Sequence, residues 1–140
     1  MKDLEKTLTG LISDLKPAPF VPNGPVEHQR IDLDYTEKDN SKWLAYMSEA
    51  LKTATTFEIH CWNEEPEWID FALRYGKLKD FDWRHGKVIA GEVTPEFVKM
   101  LLEQPKPSDI EIYNKMTPFF TIALDNGFWS SHYGTELTRA

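Results

Sequence analysis

Residues 55–62 alternate apolar and polar side chains, and this alternation constrains the fold more than any other feature of the chain. Phe57, Ile59 and Cys61 fall on one side of an extended chain, and the polar residues between them fall on the other. Residues 30–35 repeat the pattern. A strand of this kind has one buried face and one wet face, which is typical of antiparallel sheets.

Apolar residues recur at helical spacing in four other segments, so the sequence predicts four helices. These helices are expected near residues 2–15, 41–52, 66–75 and 95–103. The start of the last helix is the clearest, because Thr94, Pro95 and Glu96 combine an N-cap, a first-turn proline and a first-turn acid.

Turn signals predict two hairpins. Asn126-Gly127 is the strongest such signal in the chain, and His85-Gly86 is a weaker one. The strands predicted around and between these turns are residues 80–84, 87–93, 109–113, 118–124 and 128–133. Two hairpins with few β-α-β units indicate an α+β fold, with a mostly antiparallel sheet of five to seven strands and the helices packed mainly on one face.

The length of 140 residues suits one domain, so we expect a single domain over residues 1–140. Four prolines between residues 16 and 28 block helix and predict an extended strap. Residues 134–140 are expected to form a loose tail.

The charge balance narrows the classes of partner. Asp and Glu number 23 against 16 Lys and Arg, a formal charge of −7, which repels nucleic acid and anionic membranes and attracts basic partners. Charged residues interrupt the first 15 positions, so this stretch has neither the apolar core of a signal peptide nor the length of a membrane span. We therefore expect a soluble cytoplasmic protein that binds neither nucleic acid nor membrane.

A metal site could be drawn from Asp32 and Asp34 on one strand and Glu58 and His60 on another. Alternating polar residues are also what the solvent face of an antiparallel sheet shows, and that interpretation is favoured. The prediction is no metal and no cofactor.

Nucleophilic catalysis lacks a signature. The single cysteine, Cys61, is expected to face the core as an unreactive thiol, and one cysteine permits no internal disulfide. Ser130, Ser131 and His132 are consecutive, but neighbours on a strand point to opposite faces. Glycine-rich phosphate loops are missing. We expect no catalytic residues.

Acids and aromatic residues coincide in two segments, and this is the most informative feature for function. They are Trp62-Asn63-Glu64-Glu65-Pro66-Glu67-Trp68, followed by Asp70, and Asp80-Phe81-Asp82-Trp83. Aromatic anchors supply desolvated contact area, and surrounding carboxylates attract Arg or Lys on a partner. The predicted partner-binding residues are Glu64, Glu65, Glu67, Trp68 and Asp70, with Asp80 and Asp82 as auxiliaries. The alternative is that each Trp belongs to the core and its acidic neighbours are simply solvated.

A further pattern consists of Asn40-Ser41-Lys42-Trp43-Leu44, a β segment, a hairpin, and Thr94-Pro95-Glu96-Phe97-Val98 opening a helix. In this order it resembles the layout of immunity proteins of bacterial contact-dependent growth inhibition systems. The resemblance implies a small cytoplasmic protein that neutralises a cognate toxin domain, often a basic nuclease, by tight binding without turnover.

Two other classes remain open. One is a small hydrolase-like enzyme whose polar strand-face site uses Asp32, Asp34, Glu58 and His60. The other is a regulatory binding domain, including a homodimer that uses its aromatic residues for self-association.

Overall fold

The computed structural model describes residues 29–33, 37–108 and 114–139. Within them the chain forms seven strands and three helices. The strands are β1 (Gln29–Asp32), β2 (Thr56–Trp62), β3 (Lys77–Leu78), β4 (Gly86–Glu92), β5 (Thr121–Leu124), β6 (Trp129–Ser131) and β7 (Glu136–Arg139). The helices are α1 (Ser41–Leu51), α2 (Pro66–Ala72) and α3 (Pro95–Glu103).

All seven strands belong to one sheet, in the order β1-β7-β6-β5-β2-β4-β3, and every neighbouring pair is antiparallel. Strand β2 lies between β4 and β5, so the strand with the clearest alternation is a central one. The predicted α+β class and antiparallel sheet are confirmed for the described residues.

The core lies on one face of the sheet. Phe57, Ile59 and Cys61 of β2 are fully buried on that face, as the alternation predicts. The helices contribute to the same buried cluster through Trp43, Met47, Leu51, Ala72, Phe97, Met100 and Leu101. The rings of Phe57 and Phe97 stack with centroids 3.8 Å apart, which fixes α3 against the sheet centre.

The opposite side of the sheet, which we call the outer face, carries the polar residues of β2. Glu58 opposes Ala90 on β4 and Ala123 on β5, and His60 opposes Val88 and Thr121. Directly opposed residues in an antiparallel pair point to the same side. The outer face therefore extends across β4, β2 and β5.

The helix predictions hold with small shifts at their ends. The Thr94 hydroxyl accepts the backbone N–H of Phe97 at 3.1 Å, and Pro95 is the first residue of α3. Helix α2 ends at Ala72, three residues before the expected end. The described residues hold three helices rather than four, because the helix expected at 2–15 lies outside them.

Three further expectations also involve residues outside the described ranges. They are the strap at 16–28, the strand at 109–113 and the end of the strand predicted at 30–35.

The Asn126-Gly127 hairpin is confirmed. Gly127 has a φ of 92° and lies in the turn between β5 and β6, where Asn126 Oδ1 accepts the backbone N–H of Phe128 at 3.2 Å. Strand β5 begins at Thr121, three residues later than expected.

The hairpin predicted at His85-Gly86 is wrong, and no strand forms at residues 80–84. The partner of β4 is instead β3, where Lys77 opposes Ala90 and Leu78 opposes Ile89. The backbone N–H of Lys79 donates a hydrogen bond of 2.7 Å to the carbonyl oxygen of Val88. After Lys79 the chain leaves the edge of the sheet and forms a loop.

The loose tail predicted at 134–140 is also wrong up to residue 139. Strand β7 pairs with both β6 and β1, and its Leu137 is fully buried. His132, Tyr133 and Gly134 have φ values of 53°, 60° and 86°, and these three left-handed residues turn the chain back onto the sheet. Burial of Leu137 then anchors the C-terminal strand.

Candidate functional site

The first acidic segment begins where β2 ends. Trp62 is the last residue of that strand, and its carbonyl oxygen accepts the backbone N–H of Glu65 at 2.9 Å in a tight turn. Pro66 then starts α2. The side chains of Glu64, Glu67 and Asp70 are exposed. Three of the predicted partner-binding acids therefore face solvent on a short, defined stretch of chain.

The second acidic segment reaches the same end of the sheet. The backbone N–H of Asn63 donates to the carbonyl oxygen of His85 at 2.9 Å, and its side-chain amide donates to the carbonyl oxygen of Arg84 at 2.9 Å. The indole rings of Trp62 and Trp83 are in contact, with centroids 5.1 Å apart. The fold thus places the two acidic-aromatic segments side by side.

Asp80 and Asp82 are exposed on the loop between β3 and β4. Their neighbours include the exposed cations Arg84 and Lys87. The charge of this loop is therefore mixed, whereas Glu64, Glu67 and Asp70 follow one another without an intervening Lys or Arg.

Glu65 has a structural contact that the sequence does not show. Its Oε2 accepts a hydrogen bond of 2.9 Å from the hydroxyl of Tyr133, which lies in the left-handed turn before β7. Its Oε1 is buried without a hydrogen-bond partner among the described residues. Glu65 thus ties the start of α2 to the C-terminal turn, and it is less available to a partner than the other acids.

Trp68 packs at the edge of the core. It is partly buried, and its ring meets those of Phe71 and Phe119 edge-on at centroid distances of 5.8 and 5.6 Å. Phe119 is itself fully buried. These contacts favour the interpretation that Trp68 belongs to the core over the interpretation that it is an exposed anchor for a partner.

Cys61 is fully buried next to the first acidic segment, as expected. Burial, with smaller contributions from the charges of Glu65 and Glu67, raises the pKa of its thiol to about 12. The thiolate is the reactive form of cysteine, so this side chain serves as a small apolar group.

The outer face holds a charged cluster. Glu58 is buried at 1% exposure, and its carboxylate accepts a hydrogen bond from Lys79 and contacts His60 Nε2 at 3.2 Å. Two partners satisfy this buried carboxylate, which would be costly to bury alone.

The fold does not assemble the strand-face site suggested for an enzyme. Asp32 lies on β1, four strand positions from β2, which corresponds to about 19 Å. Its carboxylate is exposed and pairs with Arg30 at 3.0 Å. Asp34 lies outside the described residues. Glu58 and His60 therefore remain together without Asp32.

Among residues 29–33, 37–108 and 114–139, no three His, Cys, Asp or Glu side chains are grouped so as to hold a metal ion. In the same residues, no helix has the length and apolar character needed to cross a membrane.

Comparisons of the chain with known protein families, curated proteins and solved structures find no match to any of the three. The candidate surface, which consists of residues 62–70 and 80–85, is therefore defined by the contacts within this structure alone.

The sequence does not single out Tyr133, and it does not show the contact that Trp83 makes. Trp83 stands at the end of the second acidic segment, and its contact with Trp62 depends on how β2 and β4 align. Tyr133 lies 68 residues after Glu65, and no local pattern links the two.

Proposed function

We propose that this protein is a cytoplasmic inhibitor of the immunity-protein type, which binds a basic toxin domain and blocks it without catalysis. The observation that carries the proposal is the convergence of the two acidic-aromatic segments at one end of the sheet. Asn63 links them through two hydrogen bonds, to His85 and to Arg84.

The electrostatic part of the proposal rests on Glu64, Glu67 and Asp70. These exposed acids lie within eight residues of the end of β2, on a chain of net charge −7. A local negative field of this kind raises the rate at which a basic partner meets the surface in the correct orientation. Asp80 and Asp82 act as auxiliaries, since Arg84 and Lys87 offset their charge.

Rigidity of the surface is the second part. Both segments are tied to central strands, since Trp62 ends β2 and Gly86 begins β4 directly opposite it. A surface held on paired strands loses little conformational entropy when a partner binds. This suits an inhibitor that must hold its target tightly.

The residues behind the family resemblance have roles in the fold. Trp43 is buried in the core, where its Nε1 donates to Ser130 Oγ at 3.0 Å, and Thr94 caps α3. Support for the proposal therefore comes from the surface at residues 62–70 and 80–85, and the resemblance contributes only the class of target.

The direct test is cell survival. If the gene immediately upstream encodes a toxin domain, cells that express it should grow when this protein is co-expressed, and the two purified proteins should form a stable complex. Continued growth arrest together with two separate species in solution would contradict the proposal. If a small amount of this protein inactivates a molar excess of the toxin domain, the result would favour the hydrolase-like alternative instead.

A further inference from the structure

Five aromatic rings form a continuous row on and beside the outer face of the sheet. The ring centroids are 6.0 Å apart from Trp129 to His60, 6.2 Å from His60 to Trp83, 5.1 Å from Trp83 to Trp62, and 4.8 Å from Trp62 to Phe120. We call this set the aromatic row.

The register of the sheet places the row on the side opposite the core. Trp62 follows Glu58 and His60 on alternate positions of β2, and Trp129 opposes Ala123, which in turn opposes Glu58. The indole of Trp83 lies against Gly86, where an added Cβ would come within 2.5 Å of the ring. Gly86 opposes Trp62, so Trp83 lies on the same side.

The rings of the aromatic row are more exposed to solvent than the aromatic rings of the core. Trp43, Phe57, Phe97 and Phe119 are at most 1% exposed, whereas every member of the row retains partial exposure. Beneath the row, Val88, Ala123 and Glu58 are buried. The rings therefore cover the sheet and still present apolar surface to solvent, which is the character of aromatic residues at protein interfaces.

Acidic residues lie within two positions of two of the tryptophans in the sequence. Glu64 is two residues after Trp62, Asp82 precedes Trp83, and both carboxylates are exposed. An arginine side chain can place its planar guanidinium over an indole face and pair with a carboxylate at the same time. A lysine ammonium makes the charge contact but lacks the stacking plane.

We propose that the aromatic row is the apolar anchor of the binding surface and that it receives arginine side chains of the basic partner. This inference rests on the proposed function and deepens it, because it moves the anchor from Trp68 to Trp62, Trp83 and Trp129. Charge complementarity favours a basic occupant, since the exposed acids Glu64 and Asp82 near Trp62 and Trp83 outnumber the adjacent exposed cation Arg84, on a chain of net charge −7.

The first experiment compares nona-arginine with nona-lysine, which carry equal charge, by titration against the full-length protein. Nona-arginine should bind about fivefold more tightly, the size expected for stacking at exposed sites. The substitution Trp83→Leu should remove this preference, and the matched control Trp68→Leu should retain it. Equal affinities for the two peptides in the unsubstituted protein would overturn the proposal.

A second measurement does not depend on the stability of any variant. In protein labelled with 5-fluorotryptophan, nona-arginine should shift the 19F resonances of Trp62, Trp83 and Trp129 and leave those of Trp43 and Trp68 in place. Shifts confined to Trp68 would contradict the row as anchor. The resonances of the row could instead shift with protein concentration, while the mass measured by sedimentation doubles. That result would show that a second copy of the chain occupies the row.

Binding measurements with the toxin domain distinguish a failure of this inference from a failure of the proposed function. If it binds and protects while Trp83→Leu leaves the dissociation rate unchanged, the anchor is wrong and the proposed function stands. If it does not bind while the preference for nona-arginine is found, the proposed function is wrong and the arginine-binding row stands.

Discussion

The backbone N–H of Asn63 donates a 2.9 Å hydrogen bond to the carbonyl oxygen of His85. These two residues belong to different loops, one after β2 and one before β4, and the bond joins the loops at the end of the sheet. It joins the start of the acidic stretch 64–70 to the loop that carries Asp80 and Asp82. The candidate surface exists because β2 and β4 pair along their whole length.

The packing of Trp68 predicts a stability effect. Its contacts with Phe71 and Phe119 should be lost in Trp68→Ala, and the free energy of unfolding should fall by about 2–4 kcal/mol, in the range of large-to-small core changes. Urea denaturation followed by circular dichroism measures this. The conservative control Trp68→Phe should lose less than half as much. A change below about 0.5 kcal/mol for Trp68→Ala would show that the ring is not part of the core.

Cys61 predicts a specific alkaline destabilisation. Its pKa is raised from an ordinary value of 9.0 to about 12 by burial. Between these values the unfolded chain loses the thiol proton and the folded chain keeps it. The stability of the fold should therefore fall as pH rises above 9, by about 1.4 kcal/mol per pH unit from this group.

The matched comparison is the variant Cys61→Ala. Its unfolding free energy should fall less steeply above pH 9 than that of the parent, and below pH 9 the two curves should run parallel. Parallel curves up to pH 11 would contradict the burial of the thiol. Rapid reaction of the native protein with a thiol reagent at pH 8 would do the same.

The buried carboxylate of Glu58 predicts strong coupling to Lys79. The substitution Lys79→Met leaves the charge of Glu58 with His60 alone, and the free energy of unfolding should fall by about 3 kcal/mol. The double variant Glu58→Gln/Lys79→Met should recover at least half of that loss, because no buried charge then lacks its partner. Lys99→Met breaks the exposed pair with Glu103 and should change stability by less than about 0.5 kcal/mol. Additive effects at Glu58 and Lys79 would show that the pair is not coupled.

Local signals in the sequence predicted much of the fold. The alternation in residues 55–62 identifies the central strand, Thr94-Pro95-Glu96 identifies the start of α3, and Asn126-Gly127 identifies a hairpin. Each of these features depends on neighbouring residues only, through strand geometry, capping or turn conformation.

Other features depend on distant partners and could not be predicted in this way. The tail at 136–139 becomes a strand because β6 and β1 lie on either side of it, and residues 80–84 leave the sheet because Lys77 and Leu78 already occupy the edge of β4. The same holds for the site. The acids of residues 64–82 are visible in the sequence, but the contact between Trp62 and Trp83 and the bond between Tyr133 and Glu65 arise from tertiary packing.

The measurement that tests the central claim most directly is the association rate with the toxin domain as a function of salt. The variant Glu64→Gln/Glu67→Gln/Asp70→Asn removes three exposed negative charges and leaves the bond between Glu65 and Tyr133 intact. Its association rate at low salt should be about tenfold below that of the parent, with a flatter salt dependence, because exposed charges at the rim act on encounter. The matched control Glu49→Gln/Glu96→Gln/Glu103→Gln removes three exposed acids from α1 and α3 and should associate like the parent. If both variants slow association equally, net charge alone drives the encounter, and if the first variant associates like the parent at every salt concentration, the surface at residues 64–70 is not the interface.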